Sequence, residues 1–250
     1  MTAVDLSYAT LIFLRTSSFA ALLPPVAGRS IPIPVKIGIA AGLSLCFWNR
    51  VPMTPGIGDS LLNGPWFTMC ALFEVFLGLG LAWLAGSLVS IAGTVGGMIA
   101  DEIGLNVSGV TSFVDTGAST SVSQLLEALM SMLLFALNFH HVFILMLLYS
   151  FFWFPAGQLA SAGSAVAVID WYALLGTAPI AMALPLTAIS LGGLVLISVI
   201  MKQAPQFNLL SFGMPLRLML GMFALFLFLP TLLTRFAAFA QHFEHNLVLP

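Results

Sequence analysis

The sequence predicts an all-α fold, a membrane-associated bundle of kinked helical hairpins. Three observations predict it. The first is composition: of 250 residues, 60% are hydrophobic and only 6% are charged, with a mean hydropathy of +1.09. An average soluble domain carries about 25% charged residues, so this chain cannot clothe a water-facing surface. The second is arrangement. Six apolar blocks, at 7–23, 35–48, 65–100, 124–154, 171–201 and 215–239, alternate with stretches rich in Pro, Gly and small polar residues. The third is that helix breakers fall inside the blocks as well as between them, which predicts kinks.

The same composition excludes several classes. A soluble monomeric enzyme is ruled out, and so is intrinsic disorder, which needs low hydrophobicity and high net charge. A net charge of −2 provides no basic field for nucleic acid. Cys46 and Cys70 lie in apolar stretches and suggest neither a disulfide framework nor a metal site. No signal peptide is expected, because Arg15 interrupts the run where an apolar core should be clean.

The blocks do not have the lengths of plain spans, which take about 20 residues. Block 35–48 is too short. Block 65–100, as one helix, would measure about 50 Å against a bilayer core of about 30 Å. It also contains Gly78, Gly80, Gly86, Gly93, Gly96 and Gly97, which permit bends or close helix contacts. Block 124–154 holds Asn138, His140 and His141 near its middle, and block 171–201 carries Pro179 and Pro185, each removing a helical hydrogen bond. Broken helices at membrane depth are tolerated where they pack on protein or line a cavity. The last two blocks make a hairpin of their own, so the chain divides into 1–170 and 171–250.

The connections carry most of the polarity. They are 24–34 (Pro-rich, around Arg29), 50–64, 101–123, 155–170 and 202–213. Arg29, Lys36 and Lys202 fall on connections of one parity, which the positive-inside rule places in the cytoplasm, while Arg50 votes the other way.

Few residues can carry chemistry. Arg15 and Glu74 are ionisable groups inside apolar blocks, and such groups are either paired between helices or functional. Adjacent His140 and His141 point about 100° apart on a helix and form a poor metal pair, so a polar contact between helices is expected. His242, Glu244 and His245 read as a solvated tail. Neither a GxSxG elbow, a P-loop nor an HExxH motif occurs. No catalytic residue, metal or cofactor is predicted. The stretch 93–104 lacks the spacing of a dinucleotide loop and follows an apolar helix, so close helix packing explains it better. The twelve methionines read mostly as adaptable core.

The most unusual segment is 105–123, small and polar between two long apolar blocks. Such a loop is either an exposed connection or functional. The functional reading is a movable pore plug made of Asn106, Val107, Ser108, Gly109 and Val110, then Thr111, Ser112, Phe113, Val114 and Asp115.

Taken in order, these residues resemble the FliR/SctT family, inner-membrane components of flagellar and virulence type III export gates. The resemblance runs from about Arg15 to Pro230. It comprises Arg15 and Pro24, then Ile33-Pro34-Val35-Lys36, Glu74 with Gly78, and the Gly-rich stretch ending near Glu102. It continues with Asn138-Phe139-His140-His141, Ser150-Phe151 with Pro155 and Gly157, and Ala204-Pro205-Gln206-Phe207-Asn208. Four positions depart from the family pattern: Phe139 replaces a common Gly, Lys202 an Arg, Glu102 a frequent Gln, and Asp115-Thr116 the usual Asp-Pro.

The resemblance implies a non-enzymatic subunit of a hetero-oligomeric, protein-conducting gate in the bacterial inner membrane, at the basal body of the secretion system. Its partners would be two smaller export-gate membrane proteins in several copies each, the substrate-specificity switch protein, the exported polypeptides in transit, and membrane lipid. Residues 1–170 would resemble the larger gate partner in fold and residues 171–250 the smaller. The resemblance puts segment 105–123 in the lumen, and the connection with Lys202, Pro205, Gln206 and Asn208 at the cytoplasmic entrance. Arg15, Lys36, Glu74, Glu102, Asn138 and His140 would be partner contacts or buried polar groups. Flagellar use is slightly favoured over virulence. Two other readings compete: a proton-coupled small-molecule secondary transporter with Glu74 as the proton carrier, and an intramembrane enzyme using His140 or His141, which lacks a paired nucleophile or metal motif.

Overall fold

The computed structural model describes residues 3–23, 32–48, 50–51, 63–104, 121–158, 165–203 and 213–247, with backbone only at 165–176 and at a few residues near the ends of the helices. All regular structure among them is helical, as expected. The helices are α1 (Ala3–Leu22), α2 (Ile33–Trp48), α3 (Gly64–Ile103), α4 (Ser121–Ala136), α5 (Phe139–Trp153), α6 (Ala165–Gln203) and α7 (Met214–Leu247).

Among the described residues, three helices are long and apolar enough to cross a membrane, over Gly64–Ile103, Thr177–Val199 and Pro215–His245, and α4 with α5 would add a fourth as a broken span. Many hydroxyls on the helices are satisfied internally. Thr16 donates to the Ile12 carbonyl at 3.0 Å, Ser18 to Leu14 at 2.8 Å, and Ser131 to Glu127 at 2.8 Å. This back-bonding lets small polar residues sit in an apolar helix without an orphan donor.

The glycines and prolines inside the blocks do not end the helices. Block 65–100 is one unbroken helix of 40 residues despite its glycines. Glycine permits a bend but does not impose one, and here the missing side chains serve close packing instead. Helix α6 also runs through Pro179 and Pro185 without interruption. The break comes in block 124–154, which is two helices. Asn138 lies between them with φ 59° and ψ 29°. Asn is among the few non-glycine residues that tolerate this left-handed conformation. Two further boundaries move: Lys202 belongs to the last turn of α6, and His242, Glu244 and His245 lie in α7 instead of a tail.

The chain forms two compact units. The first comprises Met1–Leu88, Asn138–Val168 and His242–Pro250. There α1 packs on α2, with the Tyr8 and Trp48 rings 6.2 Å apart. Phe47 meets Phe151 edge-on at 6.0 Å, and Leu11, Ile12, Phe19, Phe143 and Leu147 are fully buried. The second unit comprises Val89–Leu137 and Ile169–Gln241. Its α3 segment lies tight on α4: a β-carbon at Gly96 would fall 2.6 Å from the Ser123 Cα. This is the close packing that stretch 93–104 predicts.

Much apolar surface stays uncovered. On α7, Met219, Phe223, Phe226 and Leu227 are 71%, 64%, 73% and 61% exposed, and on α2 Ile33 and Leu45 are 72% and 73% exposed. Surface of this kind is stable only against lipid or another protein.

Candidate functional site

The first unit holds a charge cluster entirely out of solvent. Arg15 on α1 and Glu74 on α3 are each 0% exposed. Their meeting depends on a glycine one helical turn beyond Glu74. A β-carbon at Gly78 would lie 2.5 Å from the Arg15 carbonyl oxygen and closer still to the Ser18 hydroxyl. With no side chain at Gly78, α3 lies directly on the α1 backbone, and Glu74, on the same face of its helix, comes level with the guanidinium.

All three guanidinium nitrogens donate. Its Nε donates to Glu74 Oε2 at 2.5 Å. One Nη donates to the Ser150 carbonyl at 3.0 Å and faces the Ser150 hydroxyl at 3.3 Å, and the other donates to the Phe154 carbonyl at 2.9 Å. Its flat face covers the Phe151 ring, with Cζ 4.2 Å from the centroid. Ser150 lies in the last turn of α5, where its carbonyl also accepts the Phe154 N–H at 2.9 Å, and Phe154 is the C-cap, whose carbonyl lies at the negative end of the helix dipole. Arg15 therefore caps α5 from another helix while neutralising Glu74.

The other carboxylate oxygen secures the turn that follows. Glu74 Oε1 accepts the Gly157 N–H at 3.2 Å. Gly157 has φ 87°, a conformation that favours glycine. The Gly157 carbonyl in turn accepts the Cys70 thiol at 3.3 Å. One ion pair thus ties together α1, α3, the end of α5 and the 155–158 turn. Four donor and acceptor contacts and a stacked ring offset the desolvation that makes an isolated buried pair unfavourable. The arrangement positions helices. Both oxygens of Glu74 accept hydrogen bonds within it.

The structure places the remaining predicted residues separately. Lys36 is half-buried in the first turn of α2. Asn138 is exposed at the break, and His140 stacks near His141 with centroids 4.1 Å apart. Lys202 is exposed. Residues 106–115 and Pro205, Gln206 and Asn208 lie outside the described residues. Glu102 has a partner that sequence reasoning missed. Arg217 on α7 donates from Nε to the Glu102 carbonyl at 2.7 Å, and its Nη2 lies 3.8 Å from the Glu102 carboxylate. The available signal was that Arg217 is a cation at the start of an apolar block, the kind of feature that singled out Arg15.

Comparison with known proteins agrees with the arrangement of motifs. The flagellar biosynthetic protein FliR of Caulobacter vibrioides is 25% identical over 222 residues, 88% of each chain. The flagellar biosynthetic protein FliR of Buchnera aphidicola is 23% identical over 221 residues, 88% of this chain and 84% of its own. The pattern of the bacterial export proteins, family 1, matches residues 6–243. The chain therefore belongs to that family of bacterial export proteins, the FliR/SctT family.

Proposed function

We propose that this chain is a non-enzymatic subunit of a flagellar type III export gate in the bacterial inner membrane, where it helps form the conduit for unfolded polypeptides. The observation that carries the reading is the match over residues 6–243, which takes in nearly every helix. The geometry supports it in two ways. The buried carboxylate Glu74 is spent on helix positioning, which disfavours proton-coupled transport by this residue. The apolar faces of α2 and α7 stay uncovered, as expected of a chain that completes its burial in a complex.

The finer assignments follow the resemblance. The partners are two smaller membrane proteins of the gate in several copies each, and the substrate-specificity switch protein at the cytoplasmic entrance, near Lys202, Pro205, Gln206 and Asn208. Residues 1–170 take the place of a larger-partner protomer and 171–250 that of a smaller one. Segment 105–123 acts as a plug in the resting pore.

The deciding experiment is purification from membranes in mild detergent with measurement of mass and subunit composition. A complex containing both smaller proteins supports the proposal, and a lone monomer overturns it. Deleting 105–123 should raise ion leakage through the assembled gate. Wild-type conductance with normal assembly would remove the plug assignment and leave the rest intact.

A further inference from the structure

The second unit contains another ion pair, built differently from the first. Helix α3 ends at Ile103, and its last carbonyls have no helical donor. Gly104, at φ 84°, turns its N–H back to the Ala100 and Asp101 carbonyls at 3.1 and 3.2 Å. The Glu102 carbonyl is satisfied from outside the helix by Arg217 Nε at 2.7 Å. The second contact, from Arg217 Nη2 to the Glu102 carboxylate, is long at 3.8 Å. One turn further along α7, a β-carbon at Gly221 would fall 2.6 Å from Ile103 Cγ1, so glycine admits the isoleucine but contributes no side chain of its own.

Exposure separates the two ion pairs. Arg15 and Glu74 are 0% exposed, whereas Arg217 and Glu102 are 28% and 34% exposed. Parting the first pair would strand two charges in a dry interior. Parting the second strands less charge, because both groups already reach the surface of the chain at the ends of their helices, so its net strength is that of a surface bond.

We propose that Arg217–Glu102 is a releasable latch that holds the first turn of α7 on the last turn of α3. Closed, the guanidinium caps α3 and favours its negative end. Open, water replaces it and the α3–α7 spacing relaxes at this end. The latch is independent of the export reading, because it concerns two helices of one chain.

The test measures that spacing in the full chain, as purified from membranes, by pulsed spin-label distances. Nitroxides go on Thr94→Cys in α3 and Leu216→Cys in α7, both exposed. Cys46→Ser removes the exposed native thiol, and Cys70 is buried. The expected result is a single short separation at low salt. Arg217→Ala should raise a longer-distance population about fivefold, the shift that matches losing one surface charge-assisted hydrogen bond. Glu102→Gln should shift it less, because the short bond is to the backbone. In the wild type, salt at about 1 M should raise the same population, and it should add little in Arg217→Ala. If Arg217→Ala fails to fold, the salt titration and Glu102→Gln still decide. A wild-type distribution unchanged by salt, or an Arg217→Ala distribution equal to wild type, overturns the latch and shows a static cap.

Discussion

Gly78 and Arg15 touch backbone to backbone: the space where a β-carbon would stand on Gly78 lies 2.5 Å from the Arg15 carbonyl oxygen. That contact fixes the depth at which α3 meets α1, and so decides whether Glu74 can reach the guanidinium. Gly78→Ala should therefore act through the ion pair as well as through sterics. The backbone oxygen cannot swing aside, so the helices must part, at about 1–3 kcal/mol by analogy with overpacked cores. Thermal unfolding in detergent followed by circular dichroism should show a clear loss. Gly80, which faces open space, is the control: Gly80→Ala should leave stability unchanged or raise it slightly, because alanine is the better helix former.

The ion pair itself is open to a double-mutant cycle. Glu74→Leu leaves Arg15 buried with its charge unmatched, and Arg15→Met strands Glu74 and uncaps α5. Each should destabilise by about 3–5 kcal/mol, the range for breaking a fully buried pair. Replacing both with apolar residues of similar size, Arg15→Met with Glu74→Leu, should recover a large part of the loss, since no charge is then stranded. A double variant as unstable as the sum of the single ones would show that the pair is not the linking element.

These two tests mark the limit of what was legible in the sequence. Arg15 and Glu74 stand out because charge inside an apolar block is rare, and that signal needs no structure. Their pairing is not legible. They lie 59 residues apart, and what brings them together is an absent side chain at Gly78. Helix content and the division into apolar blocks follow from composition and were readable throughout. The break at Asn138 was not, because apolar residues continue on both sides and Asn adopts a left-handed backbone without announcing it. In α3 the six glycines of block 65–100 allowed bends or close contacts alike, and Gly78, Gly93 and Gly96 mark contacts. Arg217 carried the same signal as Arg15, a cation in an apolar block, but its short bond is to a backbone carbonyl, which no sequence marks as a partner.

Gly157 tests the turn held by Glu74. Its φ of 87° is strained for any residue with a β-carbon, and its N–H is bonded to the Glu74 carboxylate. Gly157→Ala should cost about 1–2 kcal/mol from backbone conformation. If the turn depends on the ion pair, most of this effect should disappear in a Glu74→Gln background, where the turn is already loosened. Equal effects in both backgrounds, measured by thermal unfolding, would detach the turn from the cluster.

The glycines of stretch 93–104 separate close packing from simple flexibility, because their surroundings differ. A β-carbon at Gly96 would meet the backbone of Ser123 and the Val122 carbonyl at 2.6–2.9 Å. Backbone cannot yield without moving α4, so Gly96→Ala should destabilise by about 1–3 kcal/mol. At Gly93 the obstacle is the end of the Glu127 side chain, which is half-buried and can rotate away. At Gly97 the nearest atom, Ser123 Oγ, lies at an ordinary 3.6 Å. Gly93→Ala should fall within about 0.5 kcal/mol of wild type, and Gly97→Ala should be neutral or stabilising by up to about 1 kcal/mol from helix propensity. If flexibility were what these positions supply, all three alanines would stiffen α3 alike and their effects would be equal. A steep rank, with Gly96 alone intolerant in detergent unfolding, follows only if α4 rests on that one glycine.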